Sequence, residues 1–262
     1  SVYLNRFGFT GLLDTAWSQS VASTVYPNKV QLNNDTRFFC MGNFIIEEDA
    51  EVDHVDMVVG TEASGTWRVL RGIGGGEFKN GEWPPGDTTL DVWSMSGTIG
   101  AGVRGLVCDD FDDDGFQDFA VVTNNRMMQV HLGNGMGRFN QIDDGCNAAA
   151  GQRCDLLNAV NEGIGFVVGN NPQNIRTADF NADGKPDILM DYRNEGFSVY
   201  LNTTDEEHGF DLDGTRALIT PLGKRGASAN GLLSSFAIGN LDNDPDNKPE
   251  IIAFTSTKNF GA

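Results

Sequence analysis

Four apolar runs of strand-like length recur along the chain, each directly after an acidic segment. The runs occupy residues 57–59, 119–122, 188–190 and 251–254. A short continuous apolar run bounded by turn residues is typical of a strand buried on both faces. Another strand-like segment precedes each acidic segment, at residues 37–41, 104–107, 174–178 and 234–238. The pattern therefore predicts pairs of strands joined by an acidic turn.

A third strand-like segment begins at a Val and leads into a turn that contains Gly and ends in Phe. It occupies residues 69–78, 130–139 and 199–210, and residues 2–9 open the chain in the same way. The four Val residues follow one another by 67, 61 and 69 positions. A fourth strand fits in the longer connection that remains.

Four antiparallel strands per repeat form the unit of a β-propeller blade. The sequence therefore predicts an all-β fold, with one β-propeller domain over residues 1–262. Its four repeats, each of about 65 residues, have approximate bounds 1–56, 57–118, 119–187 and 188–262.

Two of the acidic segments place oxygen side chains at positions 1, 3, 5 and 9 and Gly at position 6. The first has Asp110, Asp112, Asp114 and Asp118; the second has Asp179, Asn181, Asp183 and Asp187. This spacing directs several oxygens at one centre while Gly makes the sharp turn, as a hard cation such as Ca²⁺ requires. A helical EF-hand would need a twelve-residue loop that ends in Glu. The two segments predict calcium loops on a β framework.

Two further acidic segments depart from this spacing. One carries Asn240, Asp242, Asp244 and Glu250; it is longer by two residues, and Pro245 stands in place of Gly. Either the longer Glu250 side chain still reaches the metal or Asp246 takes its place as a ligand. The other carries Glu47, Asp49, Asp53 and Asp56; it is longer by five, lacks the Gly and has Ile45 at position 3. It is either an altered metal loop or an acidic surface turn.

The cysteines and glycosylation motifs predict an oxidising environment. Cys146 and Cys154 bracket a short polar loop and predict a local disulfide. Cys40 and Cys108 each lie just before an acidic loop, so they either pair across neighbouring strands or remain buried thiols. Asn34 and Asn202 begin Asn-x-Thr motifs for glycosylation. Together these features predict a secreted, extracellular or cell-surface protein.

Composition narrows the choice of partners. The 18 basic and 37 acidic residues give a net charge of −19, which argues against nucleic acid, since phosphate contacts need Lys and Arg. Seventeen Phe residues and 39% hydrophobic content supply a core. No apolar run reaches the length of a membrane-spanning helix.

These motifs resemble the integrin-alpha-like FG-GAP family of calcium-binding propeller repeats, also called VCBS-like. The resemblance rests on the Asp-x-[Asp/Asn]-x-Asp-Gly-x-x-Asp loops together with the Val-x-Leu and Gly-Phe segments. It implies bound calcium and adds the backbone carbonyls of Phe116 and Lys185 to the ligands. The family usually forms about seven blades, whereas this chain has four repeats.

The two ends of the chain complement each other. The C-terminal segment 250–262 stops where the segment 187–197 leads into Ser-Val-Tyr-Leu-Asn at 198–202, and the chain begins with Ser-Val-Tyr-Leu-Asn at 1–5. This predicts one blade shared between the termini. The ends could meet within one molecule, between molecules in a head-to-tail filament, or in a longer tandem polypeptide. The start at Ser1 suggests a processed or excised piece.

No catalytic motif stands out, so the sequence favours a non-enzymatic structural or interaction module that binds other proteins or copies of itself. Trp67 and Trp83 lie near Gly- and Pro-rich turns. They either stack on a carbohydrate or pack between blades. Glycan binding is therefore one alternative function, and a polysaccharide-active enzyme such as a lyase is another.

Overall fold

The computed structural model describes residues 36–46, 54–72, 78–80, 96–135, 137, 139, 163–192, 196–205, 210–219, 232–241 and 248–256. These residues form an all-β structure. The strands are β1 (Thr36–Gly42), β2 (Asp56–Thr61), β3 (Thr66–Gly72), β4 (Phe78–Asn80), β5 (Ser96–Thr98), β6 (Val103–Asp109), β7 (Asp118–Thr123), β8 (Met127–His131), β9 (Ile164–Val167), β10 (Pro172–Ala178), β11 (Asp187–Tyr192), β12 (Gly196–Asn202), β13 (Leu212–Ile219), β14 (Leu232–Gly239) and β15 (Glu250–Ser256). No helix in this part of the chain is long and apolar enough to cross a membrane.

The strands form four antiparallel sheets in chain order. Sheet 1 has the order β1-β2-β3-β4, with β5 also paired to β3; sheet 2 is β6-β7-β8-β9; sheet 3 is β10-β11-β12-β13. The described part of sheet 4 is the pair β14-β15. Each acidic segment joins the first strand of a sheet to the second. The predicted strand pairs are therefore confirmed in all four sheets, and the repeated four-strand unit is confirmed in sheets 1 to 3.

The second strand of each complete sheet is buried on both faces, which explains its continuous apolar sequence. In β7, Phe119 and Val121 pack towards sheet 1, whereas Ala120 and Val122 pack towards sheet 3. Side chains alternate between the two faces of a strand, so consecutive apolar residues supply two separate cores.

Consecutive sheets pack face to face. One apolar cluster joins sheets 1 and 2 and contains Trp67, Val58 and Phe119. A second cluster joins sheets 2 and 3 through Met128, Ile175 and other residues. Between sheets 3 and 4, the Phe197 and Phe236 rings lie 5.2 Å apart. The four sheets are therefore stacked in sequence, and the first strand of sheet 2 lies beside those of sheets 1 and 3.

A disulfide between Cys40 on β1 and Cys108 on β6 links sheets 1 and 2. The two Cα atoms lie 5.7 Å apart, within the usual range for a disulfide. This confirms the predicted pairing and excludes the alternative of two buried thiols. The link closes a loop of 68 residues, so it also restricts the unfolded chain.

Candidate metal centre and carboxylate clamps

The loop between β6 and β7 is folded around the side chains of its own acidic residues. The Asp110 carboxylate accepts backbone N–H bonds from Asp114 at 3.2 Å and Gly115 at 2.9 Å. The Asp114 carboxylate accepts the N–H of Phe116 at 2.8 Å. Gly115 has a φ of 88°, a left-handed conformation that glycine adopts without strain. These bonds turn the chain so that its oxygen side chains converge.

Three carboxylates meet in this loop. One oxygen from each of Asp110, Asp112 and Asp118 lies within 4.8 Å of the others. Among the described residues, no other group of three His, Cys, Asp or Glu side chains comes this close. Carboxylate oxygens are the ligands that Ca²⁺ prefers, and their mutual repulsion is relieved by a cation. The donors present therefore fit the implied metal.

The loop between β10 and β11 repeats this backbone structure. The Asp179 carboxylate accepts N–H bonds from Asp183 at 3.1 Å and Gly184 at 2.8 Å. The Asp183 carboxylate accepts the N–H of Lys185 at 2.9 Å. Asn181 stands at the position of Asp112, and its amide donates to the Asp183 carboxylate at 2.9 Å. The same backbone structure is thus built with one carboxylate fewer among positions 1, 3, 5 and 9.

The carboxylate at position 9 has a role that the loop spacing did not predict. Asp118 begins β7, and its two oxygens accept the N–H groups of Phe111 at 2.7 Å and Gly133 at 2.6 Å. Phe111 belongs to the loop, and Gly133 follows the third strand of the sheet. The buried Asp118 side chain therefore fastens the loop to the end of that strand.

The same arrangement recurs in the other sheets. Asp187, which begins β11, accepts the N–H groups of Phe180 and Asn202, both at 2.8 Å. Asp56, which begins β2, accepts those of Ile45 at 2.7 Å and Gly72 at 2.8 Å. Each of these carboxylates connects a turn to the end of the third strand.

Glu250 begins β15 and accepts the N–H of Leu241 at 2.6 Å. We call Asp56, Asp118, Asp187 and Glu250 the clamp carboxylates. The longer turns in sheets 1 and 4 keep this residue although they depart from the metal-loop spacing.

Burial changes the acidity of three clamp carboxylates, Asp56, Asp118 and Asp187. It raises the pKa of Asp118 well above its usual range, and the nearby Asp112 charge adds to this effect. Burial also raises the pKa of Asp187, and it raises the pKa of Asp56 to about 6. In each case the backbone N–H bonds oppose the shift without cancelling it. Burial raises the pKa of Asp114 as well.

A side chain of sheet 3 ties that sheet to the loop of sheet 2. The Asn202 amide nitrogen is buried and donates to the carbonyls of Phe111 at 2.7 Å and Pro186 at 3.2 Å. The Thr204 hydroxyl donates to the same Phe111 carbonyl at 3.3 Å. The expectation of a glycan on Asn202 is therefore wrong, because the nitrogen that would carry it is enclosed and hydrogen-bonded.

Trp67 lies in the core between sheets 1 and 2, where it is only 1% exposed. Its ring packs edge-on against Phe119 at 5.0 Å, His131 at 5.2 Å and Phe139 at 5.3 Å. It cannot stack on a carbohydrate in this position. The ligand contact expected for Trp67 is therefore wrong, and the alternative of packing between sheets is correct.

Several predicted residues lie outside the described part of the chain. They are Glu47, Asp49, Asp53, Asp242, Asp244, Asp246, Asn34, Cys146, Cys154 and Trp83. Asn240 is exposed directly after β14. Metal coordination by this residue, and by the carbonyls of Phe116 and Lys185, stays a prediction.

Comparison with known proteins identifies the repeat. Residues 110–190 match the FG-GAP-like repeat. The match begins at the first carboxylate of the loop after β6 and ends within β11, so it covers both regular loops. It confirms the family resemblance over these residues. Comparison with curated proteins finds no match to the sequence.

Two solved structures are similar to the chain. A crystal structure of BBS1N in complex with ARL6DN, soaked with lead, shares 13% identity over 85% of this chain and 50% of its own, with a TM-score of 0.42. The same complex soaked with mercury shares 12% identity over 86% of this chain and 64% of its own, with a TM-score of 0.34. The chain thus spans 50% and 64% of those chains. Both TM-scores are below 0.5, so nothing about partners follows.

Proposed function

We propose that this chain is a secreted, calcium-stabilised β-propeller that serves as a structural and interaction module. The observation that carries the proposal is the cluster of Asp110, Asp112 and Asp118 oxygens within 4.8 Å, at the start of a segment that matches the FG-GAP-like repeat. A module of this kind presents a stable surface to its partners, and its bound ions stabilise the fold and take no part in a reaction.

Calcium would be held in the first loop by Asp110, Asp112, Asp114 and Asp118. In the second loop the corresponding residues are Asp179, Asn181, Asp183 and Asp187. The ion would supply charge neutralisation to carboxylates that otherwise repel one another. The chain itself positions the ligands, since backbone N–H groups of each loop already hold the Asp110 and Asp179 carboxylates in place.

The propeller arrangement is supported by the order of the sheets. Sheets 1 to 4 stack in sequence, and β6 lies between β1 and β10. A propeller places the first strands of its blades side by side around an axis in this way. We propose that the four sheets are its blades.

Secretion is supported by the disulfide between Cys40 and Cys108, because such bonds persist mainly in oxidising compartments. The proposal predicts that protein produced in an oxidising compartment contains this bond and that reduction lowers its Tm.

The partners we propose are other proteins, in keeping with the resemblance to integrin-alpha-like propellers, and the same resemblance favours a non-catalytic module. Assembly of copies into head-to-tail filaments is part of the proposal, and the oligomeric state of the purified chain at several protein concentrations tests it. A glycan-binding function loses one of its two candidate residues, because Trp67 is buried.

The test is a calcium titration of chelator-treated protein by calorimetry, with thermal unfolding in parallel. We expect heat of binding and a rise in Tm. The variant with Asp110→Asn and Asp112→Asn should keep its fold and lose the part of the heat of binding and of the Tm rise that comes from the first loop. The proposal is refuted if wild-type protein shows neither heat nor a shift of Tm.

A further inference from the structure

The first strand of each of the four sheets contains a β-bulge near its start. In β1 the register slips by one residue between Thr36 and Phe38, and equivalent slips occur in β6, β10 and β14. In chain order, the extra residues are Arg37, Arg104, Gln173 and Ser234. Bulges redirect a side chain and are common beside functional sites. The repeat therefore presents a different side chain from the same position of each sheet.

Two of these side chains are arginines that share one glutamate. Glu62 directly follows β2, and its Oε2 lies 2.5 Å from Nε of Arg37. Its Oε1 accepts a hydrogen bond from Nη1 of Arg104 at 2.6 Å. Arg37 belongs to sheet 1 and Arg104 to sheet 2, so Glu62 bridges two neighbouring sheets. We call these three residues the Arg–Glu–Arg cluster.

The backbone of both sheets holds the Arg–Glu–Arg cluster in place. The N–H of Ile99 donates to the carbonyl of Gly65 at 2.7 Å, which joins the segment before β6 to the turn that contains Glu62. A Cβ on Gly102 would collide with the Glu62 carbonyl oxygen, so a side chain at this position would force the two segments apart. Glu62 and Arg104 are therefore fixed relative to each other before any ligand arrives, which lowers the entropic cost of binding.

The cluster has more hydrogen-bond donors than it uses. A guanidinium group carries five N–H donors, and Glu62 contacts one nitrogen of each arginine. Within the described part of the chain, Arg37 and Arg104 have no second carboxylate partner. The Arg37 side chain is 65% exposed, and those of Arg104 and Glu62 are 31% and 33% exposed. Two positive charges thus share one negative charge at a site that a ligand can reach.

The charge of the cluster is opposite to that of the whole chain, which has a net charge of −19. Arg37 and Arg104 lie at the starts of β1 and β6, whereas the acidic segments follow the ends of these strands. Six residues separate Arg104 from Asp110, or roughly 20 Å along an extended strand. This separation is more than twice the Debye length of about 8 Å at physiological salt. The excess positive charge is therefore not neutralised by the acidic loop.

We propose that the Arg–Glu–Arg cluster binds a carboxylate side chain in an acidic segment of a partner protein. The carboxylate accepts the N–H groups of Arg37 and Arg104 that Glu62 leaves unused, and pairs of this kind are strong and often bidentate. Arginine is also enriched among the residues that dominate interface energies. A protein segment fits better than a nucleic acid or an anionic membrane, because the acidic remainder of the surface repels an extended polyanion.

This inference rests on the interaction module proposed above and gives the chemistry of its partner. The cluster contains none of the predicted calcium ligands, and the acidic loops lie at the other ends of the strands. The calcium titration and a test of the cluster can therefore fail independently.

An NMR titration that follows the Nε–Hε signals of the arginines tests the proposal. The probe is the peptide acetyl-Gly-Glu-Glu-Gly-amide, and the control peptide has Gln in place of both Glu. We expect the signals of Arg37 and Arg104 to shift with the first peptide and not with the second. Arg37→Gln should lower the affinity on the order of tenfold, because charge-assisted hydrogen bonds are lost. Arg126→Gln removes the same charge from an exposed turn and should change the affinity by less than about twofold.

Glu62→Gln distinguishes binding from a purely structural bridge. The substitution keeps the size and one acceptor oxygen of Glu62 but removes the negative charge that repels the ligand. Binding of the Glu peptide should therefore tighten severalfold, whereas loss of a structural bridge would lower only the Tm.

The proposal is overturned if the Glu peptide causes no shift, if the Gln peptide acts equally, or if Arg126→Gln weakens binding as much as Arg37→Gln. Weaker binding by Glu62→Gln would overturn it as well. Vesicles that contain phosphatidylserine are the last probe. If they bind more tightly than the peptide and Arg37→Gln abolishes this binding, the partner is a membrane surface and the protein segment is wrong.

Discussion

The loops at residues 110–118 and 179–187 have the same backbone conformation and a different charge. At position 4, Asp113 and Ala182 have φ values of 59° and 63°. At position 6, Gly115 and Gly184 have φ values of 88° and 90°. The carboxylate at position 1 accepts the same two N–H bonds in both loops. The turn is therefore determined by side-chain-to-backbone bonds that both sequences supply.

The difference in charge lies at positions 3, 4 and 7, and at position 4 the first loop has Asp113 where the second has Ala182. The first loop has Asp112 and Phe116, and its carboxylates crowd together. The second loop has Asn181, which donates to Asp183, and Lys185, whose ammonium group donates to the Thr204 carbonyl. The second loop thus carries fewer carboxylates and one ammonium group, so we expect the first loop to depend more on a cation. A shared turn does not imply equal dependence on metal.

The largest effect is expected from removing the clamp carboxylates, which both loops share. Asp118→Ala and Asp187→Ala should each lower the free energy of unfolding by roughly 2–6 kcal/mol, because one buried and one half-buried N–H group lose their acceptor at about 1–3 kcal/mol each. Chemical denaturation with a chelator present measures this loss. Asp113→Asn, on an exposed residue, is the control and should change stability by less than about 0.5 kcal/mol. A loss seen only with calcium present would show that these residues act as ligands alone.

The pH dependence of the metal-free protein tests the clamps without calcium. Burial raises the pKa of Asp56 to about 6, from 3.8 in the unfolded chain. The folded state therefore binds more protons than the unfolded state between these two values. The contribution of Asp56 to the free energy of unfolding is fully present below about pH 4 and is lost as the pH rises through 6. The shift corresponds to about 3 kcal/mol. The raised pKa values of Asp118 and Asp187 act in the same direction.

Denaturation between pH 3.5 and 7 in chelator measures this loss, and Asp56→Asn should flatten part of it. If the metal-free protein instead gains stability over this range, burial does not control the titration of Asp56, Asp118 and Asp187.

Exchanging position 3 between the loops tests the part of the charge difference that lies at a predicted ligand position. Asp112→Asn should weaken calcium binding at the first loop on the order of tenfold, or about 1.4 kcal/mol, since affinity follows the number of charged ligands. Asn181→Asp should strengthen binding at the second loop. Calorimetric titration of both variants against wild type measures the changes. Equal effects of opposite sign would support a common site, and no effect of Asp112→Asn would remove position 3 from the ligands of the first loop.

The sequence predicted the strands well because each complete sheet has a second strand buried on both faces, and its continuous apolar run is unambiguous. The disulfide of Cys40 and Cys108 followed from their common position before an acidic loop. Its confirmation needed β1 and β6 to be neighbours, which the repeat already indicated.

Three features depended on contacts between distant residues. The role of Asp118 as a clamp requires Gly133, 15 positions away across a hairpin. The Asn202 motif had the spacing of a glycosylation site, but the amide is enclosed by the neighbouring loop. Trp67 lies on the inward face of β3, and nearby turn residues suggested a ligand contact instead. In the first two cases the repeat contained a signal. Gly133 and Asn202 each lie three positions after the repeated Val, at Val130 and Val199.

An effect similar in size to that of Asp112→Asn is expected from the glycines at position 6, and it tests whether the two backbones are equivalent. A Cβ added to Gly115 or Gly184 would meet no atom within 4 Å, so substitution by Ala costs only the strain of a left-handed conformation. Each change should therefore lower the free energy of unfolding by about 1–2 kcal/mol, and by the same amount in both loops. Ala182→Gly is the matched control; it relieves a left-handed Ala at φ 63° and should stabilise slightly. Denaturation of the three variants in chelator measures these changes. Unequal losses of unfolding free energy at Gly115 and Gly184 would mean that charge, and not only the shared hydrogen bonds, determines the conformation of the metal-free turn.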